Sequence, residues 1–276
     1  MPHFYERIKN KTLKYDEELS KLSSMLYQAS DNFFGKNFVE LVDSNCFRTI
    51  KLCGNYLSLQ SMLEEIFEIK SKSAKFVCIS ELVLSLYEQI KPSMIKLSDR
   101  DFVVQQLTGM KNLILYDLDK LNLNADIVDE SIGKVASIGP KSELLESALE
   151  VVDNKTIETR LIRYNSLANK GNICEKENIL CAIYSYVEGF LNDNELAKMN
   201  SRLFQNVAFL YNNLNMKHNN DCSNDTFFYE STLSNREEWL DRLFHNVLLV
   251  IASKKERETN KEINELKLAK KNSSNE

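Results

Sequence analysis

The 276-residue chain carries 35 Lys and Arg against 40 Asp and Glu, a net charge of −5, and is 43% apolar. Seven glycines and three prolines are too few for the turns, bulges and phosphate loops of most all-β and α/β folds. The acidic balance argues against bulk nucleic-acid binding, and no apolar run reaches the roughly 18 residues of a membrane span.

The stretch through Leu19 has no apolar signal core, so the expected setting is cytoplasmic, with a possible peripheral place on membranes. The first fourteen residues are basic and amphipathic. Phe4 and Ile8 supply apolar groups, and Arg7, Lys9, Lys11 and Lys14 supply charge. Such a segment can lie in a membrane interface with its cations on anionic head groups. It equally suits the first turns of a bundle helix, because the stripe continues into Leu19 and Leu22.

Apolar residues then recur every three or four positions, the helical signature. After a break at Asp31–Lys36 the stripe runs Val42, Cys46, Ile50, Cys53, Leu57, Leu63, Phe67, and Lys70–Lys75 reads as a turn. Phe76, Ile79, Val83, Leu86 and Ile90 lead to Pro92, where a kink is expected, and Ser98-Asp99 reads as a helix start. Val103, Leu107, Met110, Ile114, Leu118 and Leu121 then form a seam that continues through Ala125, Val128, Ile132 and Val135. Its spacing of about 3.5 is the coiled-coil period. The expectation is one helix about 50 Å long, ending at Gly133, Gly139 and Pro140.

A short helix is expected within 137–156, and a third long pattern from Ile157 to Leu214. Gly171-Asn172 and Asn192-Asp193 are soft points in it, either kinks or loops. Residues 215–232 read as a polar linker. Residues 233–276 read as a C-terminal helix opened by a Ser234/Glu237 capping box and ending in a charged, frayed tail. The fold expected is all-α: a bundle over 1–214 of few, very long helices in an elongated antiparallel three-helix coiled coil, dimeric through its seams.

Catalytic patterns are sparse. The six cysteines form no CxxC pair and read as small hydrophobes. His3, His218 and His245 share no frame, and Arg242 with His245 is the one Arg/His pair on a common helix face. No phosphate loop, metal signature or di-iron ExxH pair occurs. No cofactor and no metal are therefore expected, and an enzyme is the minority reading. Lysines at the expected turns, Lys134, Lys141 and Lys155, are candidate membrane contacts.

The layout resembles the BAR domain, with segments at about 8–69, 76–136 and 155–214. Ile79–Tyr87 (ISELVLSLY) resembles the opening of the second helix in sorting-nexin-type members. Leu113–Lys120 (LILYDLDK) is similar to the mid-helix segment, and Glu175 with Tyr184, Tyr186 and Phe190 to the third helix. The resemblance implies a homodimeric scaffold on anionic membranes in trafficking, with partner proteins and without nucleic acid. The low cationic density of the middle helix favours the alternative, a helical protein–protein adaptor without lipid affinity.

Overall fold

A computed structural model describes residues 13–29, 35–50, 56–130, 133–214, 216 and 230–273. The described residues are mostly helical, with one two-stranded sheet. The chain folds as two compact units, Met1–Lys141 and Ser142–Glu276. The expected bundle over 1–214 thus spans both units, and most of the expected linker 215–232 lies outside the described residues.

The first unit holds α1 (Tyr15–Tyr27), α2 (Phe38–Asn45), α3 (Leu59–Glu68), α4 (Lys72–Gln89) and α5 (Leu97–Lys120). A hairpin follows, β1 (Leu123–Glu130) and β2 (Gly133–Pro140). In a chain poor in glycine, Asn and Ser side chains carry much of the capping. Asn37 and Glu40 form a reciprocal box at α2, and Ser58 and Ser71 accept the N–H groups of Ser61 and Ala74 at α3 and α4. The Asp43 carboxylate on α2 also accepts the Leu59 and Gln60 N–H groups, meeting the positive end of α3.

Helix α4 is the centre of this unit. Phe76, Ile79, Leu82, Val83, Leu84 and Leu86 are all buried, so apolar contact surrounds the helix rather than lining one face. Pro92 sits in a short 3-10 turn after α4, which makes the expected kink a true break between α4 and α5. The six seam residues of α5 through Leu121 are 0–3% exposed inside this unit.

The expected continuous helix over 103–135 is corrected. Helix α5 stops at Lys120, and Asn122 adopts the left-handed conformation, φ +58°. Asparagine tolerates that region better than branched residues do, so the chain reverses there. Ala125, Val128 and Val135, read as further seam positions, are strand residues. The short helix expected within 137–156 starts only at Glu143, because 137–140 belong to β2.

Gly133 opens β2 at φ +95°, where a Cβ would lie 3.0–3.2 Å from the Gln89 side-chain amide. Gly133→Ala is therefore expected to cost about 1–2 kcal/mol through backbone strain. Equilibrium denaturation with wild type as reference checks it.

The second unit contains α6 (Glu143–Leu149), α7 (Lys155–Asn165), α8 (Ile173–Leu191), α9 (Asn194–Met199), α10 (Ser201–Asn213) and α11 (Arg236–Ser273). Both soft points are breaks. Gly171, at φ +76°, lies between α7 and α8, and Asp193 caps α9 with its carboxylate. The long pattern from Ile157 to Leu214, whose continuity the sequence leaves open, is thus a series of separate helices. Ser234 forms no capping box, because the Glu237 carboxylate turns to the Gly171 N–H and to Lys176.

The core of this unit joins Leu161, Leu180, Ile183, Val187, Val207, Tyr211, Leu243, Val247 and Ile251. Tyr164 and Phe244 stack within it, centroids 3.9 Å apart. No helix among the described residues is long and apolar enough to cross a membrane.

Candidate functional site

In the first unit the hairpin is fastened by polar side chains on one face of α4. Glu81, Ser85 and Gln89 are four residues apart, so they climb that face one turn at a time. Glu81 Oε1 accepts the Ile138 N–H at 2.9 Å, Ser85 Oγ accepts the Ala136 N–H at 2.8 Å, and Gln89 Nε2 donates to the Lys134 carbonyl at 2.7 Å. Helical steps of about 6 Å match two-residue strand steps of about 6.6 Å. Helix α4 therefore covers the outer edge of β2. Burial pushes the Glu81 carboxyl up to about 7, with the Ile138 N–H acting in the opposite sense.

A second acidic contact joins α1 to α5. Asp117 is fully buried, and desolvation together with the nearby Glu18 carboxylate raises its pKa against the effect of Lys120, 3.3 Å away. Glu18 in turn bonds Lys21 at 2.9 Å. Both lysines point outward at about half exposure, so the pair is a helix–helix contact with hydrated counter-charges.

The second unit holds the richest polar cluster. Lys176, 7% exposed at the side chain, places Nζ 2.8 Å from Glu237 and 2.7 Å from Asp241. The Tyr164 hydroxyl donates to Asp241 at 3.0 Å. Burial raises the Tyr164 phenol strongly and Asp241 adds to it, so the hydroxyl stays protonated. Glu237 is desolvated, yet Lys176 and the Gly171 N–H hold its carboxyl below the usual range. Burial lowers the Lys170 pKa. Beside this cluster Arg236 Nε bonds Glu177 at 2.7 Å, and its NH2 group caps the Leu214 carbonyl at 2.8 Å. The ions tie α7, α8 and the start of α11 together.

The residues expected at a membrane are divided between the two units and the start of the chain. Phe4, Arg7, Ile8, Lys9 and Lys11 lie outside the described residues. Lys14 pairs with Glu17 at 2.7 Å, Lys141 with Asp119 at 2.7 Å, Lys155 with Glu158 at 2.9 Å, and Lys134 approaches Glu88 at 4.0 Å. Each described lysine thus faces a carboxylate, although exposed pairs of this kind contribute little and exchange readily.

His3 and His218 lie outside the described residues, and His245 is exposed on α11. Arg242 bonds Glu238 at 2.6 Å and stacks over Trp239. Burial pushes the Cys78 and Cys181 thiols up, away from the thiolate form that nucleophilic chemistry needs. Among the described residues no group of three or more His, Cys, Asp or Glu could hold a metal ion.

What sequence reasoning missed is the outer face of α5. Val104 and Leu115 are 38% and 40% exposed, and Tyr116 is 63% exposed. Positions 104, 108 and 115 follow one helical line, and Lys120 Nζ sits 3.9 Å over the Tyr116 ring. Their exposure was hidden because the buried stripe, Val103 to Leu121, carries the stronger signal. Comparison of the chain with family models, curated proteins and solved structures finds no match.

Proposed function

We propose that this chain is a helical protein–protein adaptor whose first unit docks a partner on the outer face of α5. The observation that carries it is the solvent side of a 24-residue helix, where Leu115 and Tyr116 are 40% and 63% exposed while the stripe from Val103 to Leu118 is consumed in the core. Leucine and tyrosine held on a rigid helix supply contact area at low entropic cost, the usual chemistry of an interface centre. The Lys120 ammonium over the Tyr116 ring restrains that side chain in advance.

A photo-crosslinking residue placed at Tyr116 tests this in cells of the source organism. The reading predicts a discrete adduct from position 116 and none from Glu262, exposed on α11. Equal labelling from both positions, or none from either, contradicts it.

The second reading is a BAR-like homodimer on anionic membranes, supported by the basic and apolar start from Phe4 to Lys14 and by the exposed lysines Lys134, Lys141 and Lys155. It predicts co-sedimentation with phosphatidylserine vesicles that is lost when residues 1–14 are removed. Absence of binding in low salt contradicts it.

A further inference from the structure

The clamp on β2 fixes which way each backbone group of the hairpin points. Lys134, Ala136 and Ile138 turn their carbonyl or N–H toward α4. In an antiparallel pair, residues alternate between bonding the partner strand and pointing away from it. Val135, Ser137 and Gly139 therefore bond β1, through Val128, Asp126 and Asn124 in the observed register. The intervening β1 residues, Ala125, Ile127 and Asp129, direct their N–H and C=O groups out of the sheet. Helix α4 covers the β2 edge; among the described residues, no backbone hydrogen bond reaches these three from another element. Ile127 is 39% exposed and Asp129 is exposed.

Such an edge is a template for one more strand. Strand β1 carries Asp126, Asp129 and Glu130 and no basic residue. The hairpin's one lysine among its described residues, Lys134, stands opposite Asp129 and lies 4.0 Å from Glu88. Two copies pairing through β1 would bring these carboxylates together, which like charges across a ladder oppose. A strand bearing cations at alternate positions meets the opposite field.

We infer that the open edge of β1, from Ala125 to Asp129, binds an extended segment of a partner polypeptide carrying Lys or Arg at alternate positions. This deepens the adaptor reading and rests on it only for the existence of a polypeptide partner; the surface is separate from the Tyr116 face. Backbone bonds to Ala125, Ile127 and Asp129 hold the segment in register, and the β1 carboxylates select its charge.

The test is amide hydrogen exchange of the full chain with a ten-residue peptide of alternating lysine and threonine at millimolar concentration, and with its glutamate–threonine counterpart. Exchange at Ala125, Ile127 and Asp129 is expected to slow about tenfold with the lysine peptide, as for occupancy at a Kd well below the peptide concentration, and not with the glutamate peptide. Ile127→Pro removes one outward N–H and is expected to abolish the protection. Asp129→Asn, at an exposed site, removes a carboxylate without setting like charges opposite Lys134 and is expected to weaken it.

Unchanged exchange with the lysine peptide, or equal slowing by both peptides, overturns the inference. Protection already complete in the free chain means that its own residues cover the edge. Protection that grows with protein concentration alone means that a second copy does. Either result overturns it. A failed peptide with a specific adduct at Tyr116 removes this edge and leaves the adaptor reading. Protection without an adduct does the reverse.

Discussion

Replacing Glu237 by Gln and Asp241 by Asn together is expected to destabilise the second unit by about 3 kcal/mol, the low end for a buried charge left without its partner. Lys176 is 7% exposed, whereas Glu237 and Asp241 are 34% and 50% exposed. The asymmetry decides the outcome. Removing the carboxylates strands an ammonium that water cannot reach. Lys176→Met instead leaves two carboxylates that water can reach, and is expected to cost only about 1 kcal/mol. Combining all three substitutions should recover most of the loss, since no unpaired buried charge remains. Trp239 is the single tryptophan and lies on α11, so its fluorescence during urea unfolding reports this unit. Equal losses for Lys176→Met and the double variant would show that the buried ammonium is not the dominant cost.

Glu81→Gln is expected to stabilise the first unit at pH 8 and to do little at pH 4. Burial raises the Glu81 carboxyl from 4.5 to about 7 in the folded chain. A folded pKa above the unfolded value means that the folded state binds the extra proton. The stability is fully present below about pH 4.5 and is lost as pH rises toward 7. The linkage corresponds to roughly 2–3 kcal/mol, discounted for the partial exposure of Glu81. The Gln Oε1 still accepts the Ile138 N–H, so the clamp on β2 survives while the charge is gone. Exchange protection at Ala136 and Ile138 should fall between pH 5 and about pH 7 in wild type, after correction for intrinsic rates, and stay level in the variant. A variant with the wild-type pH slope would assign that slope to another group.

Much of the helical character was legible because the apolar stripes are strong. Val103 to Leu121 predicted α5 and its buried face, and Pro92 marked the break after α4, whereas Lys70–Lys75, read as a turn, is helical from Lys72 onward. The hairpin was not legible. Ala125, Val128, Ile132 and Val135 fall on the same three-and-four spacing as the helix before them, and the left-handed Asn122 is a single residue inside that pattern. The β-branched pair Ile127-Val128, with Val128 opposite Val135, was the available strand signal.

The clamp was hidden for another reason. Ser85 is 1% exposed, yet a serine in a helical pattern reads as surface until a strand supplies its partner. Polar residues spaced by four, Glu81, Ser85 and Gln89, on a helix otherwise buried all round were the clue. Lys176 carried a similar one, since it shares a face with Ile179, Leu180 and Ile183. The exposed residues of α5 escaped notice because single exposed apolar residues are common on any surface, and Leu115 and Tyr116, successive in the helix, make no spacing pattern of their own.

The most direct measurement of the adaptor claim is quantitative affinity isolation of the full chain from its own cells, wild type against Leu115→Glu with Tyr116→Glu. The account predicts a protein recovered in near-stoichiometric amount with wild type and depleted about tenfold or more with the double variant, as loss of an interface centre implies. Identical recovery from both, at equal folding by circular dichroism, would contradict it.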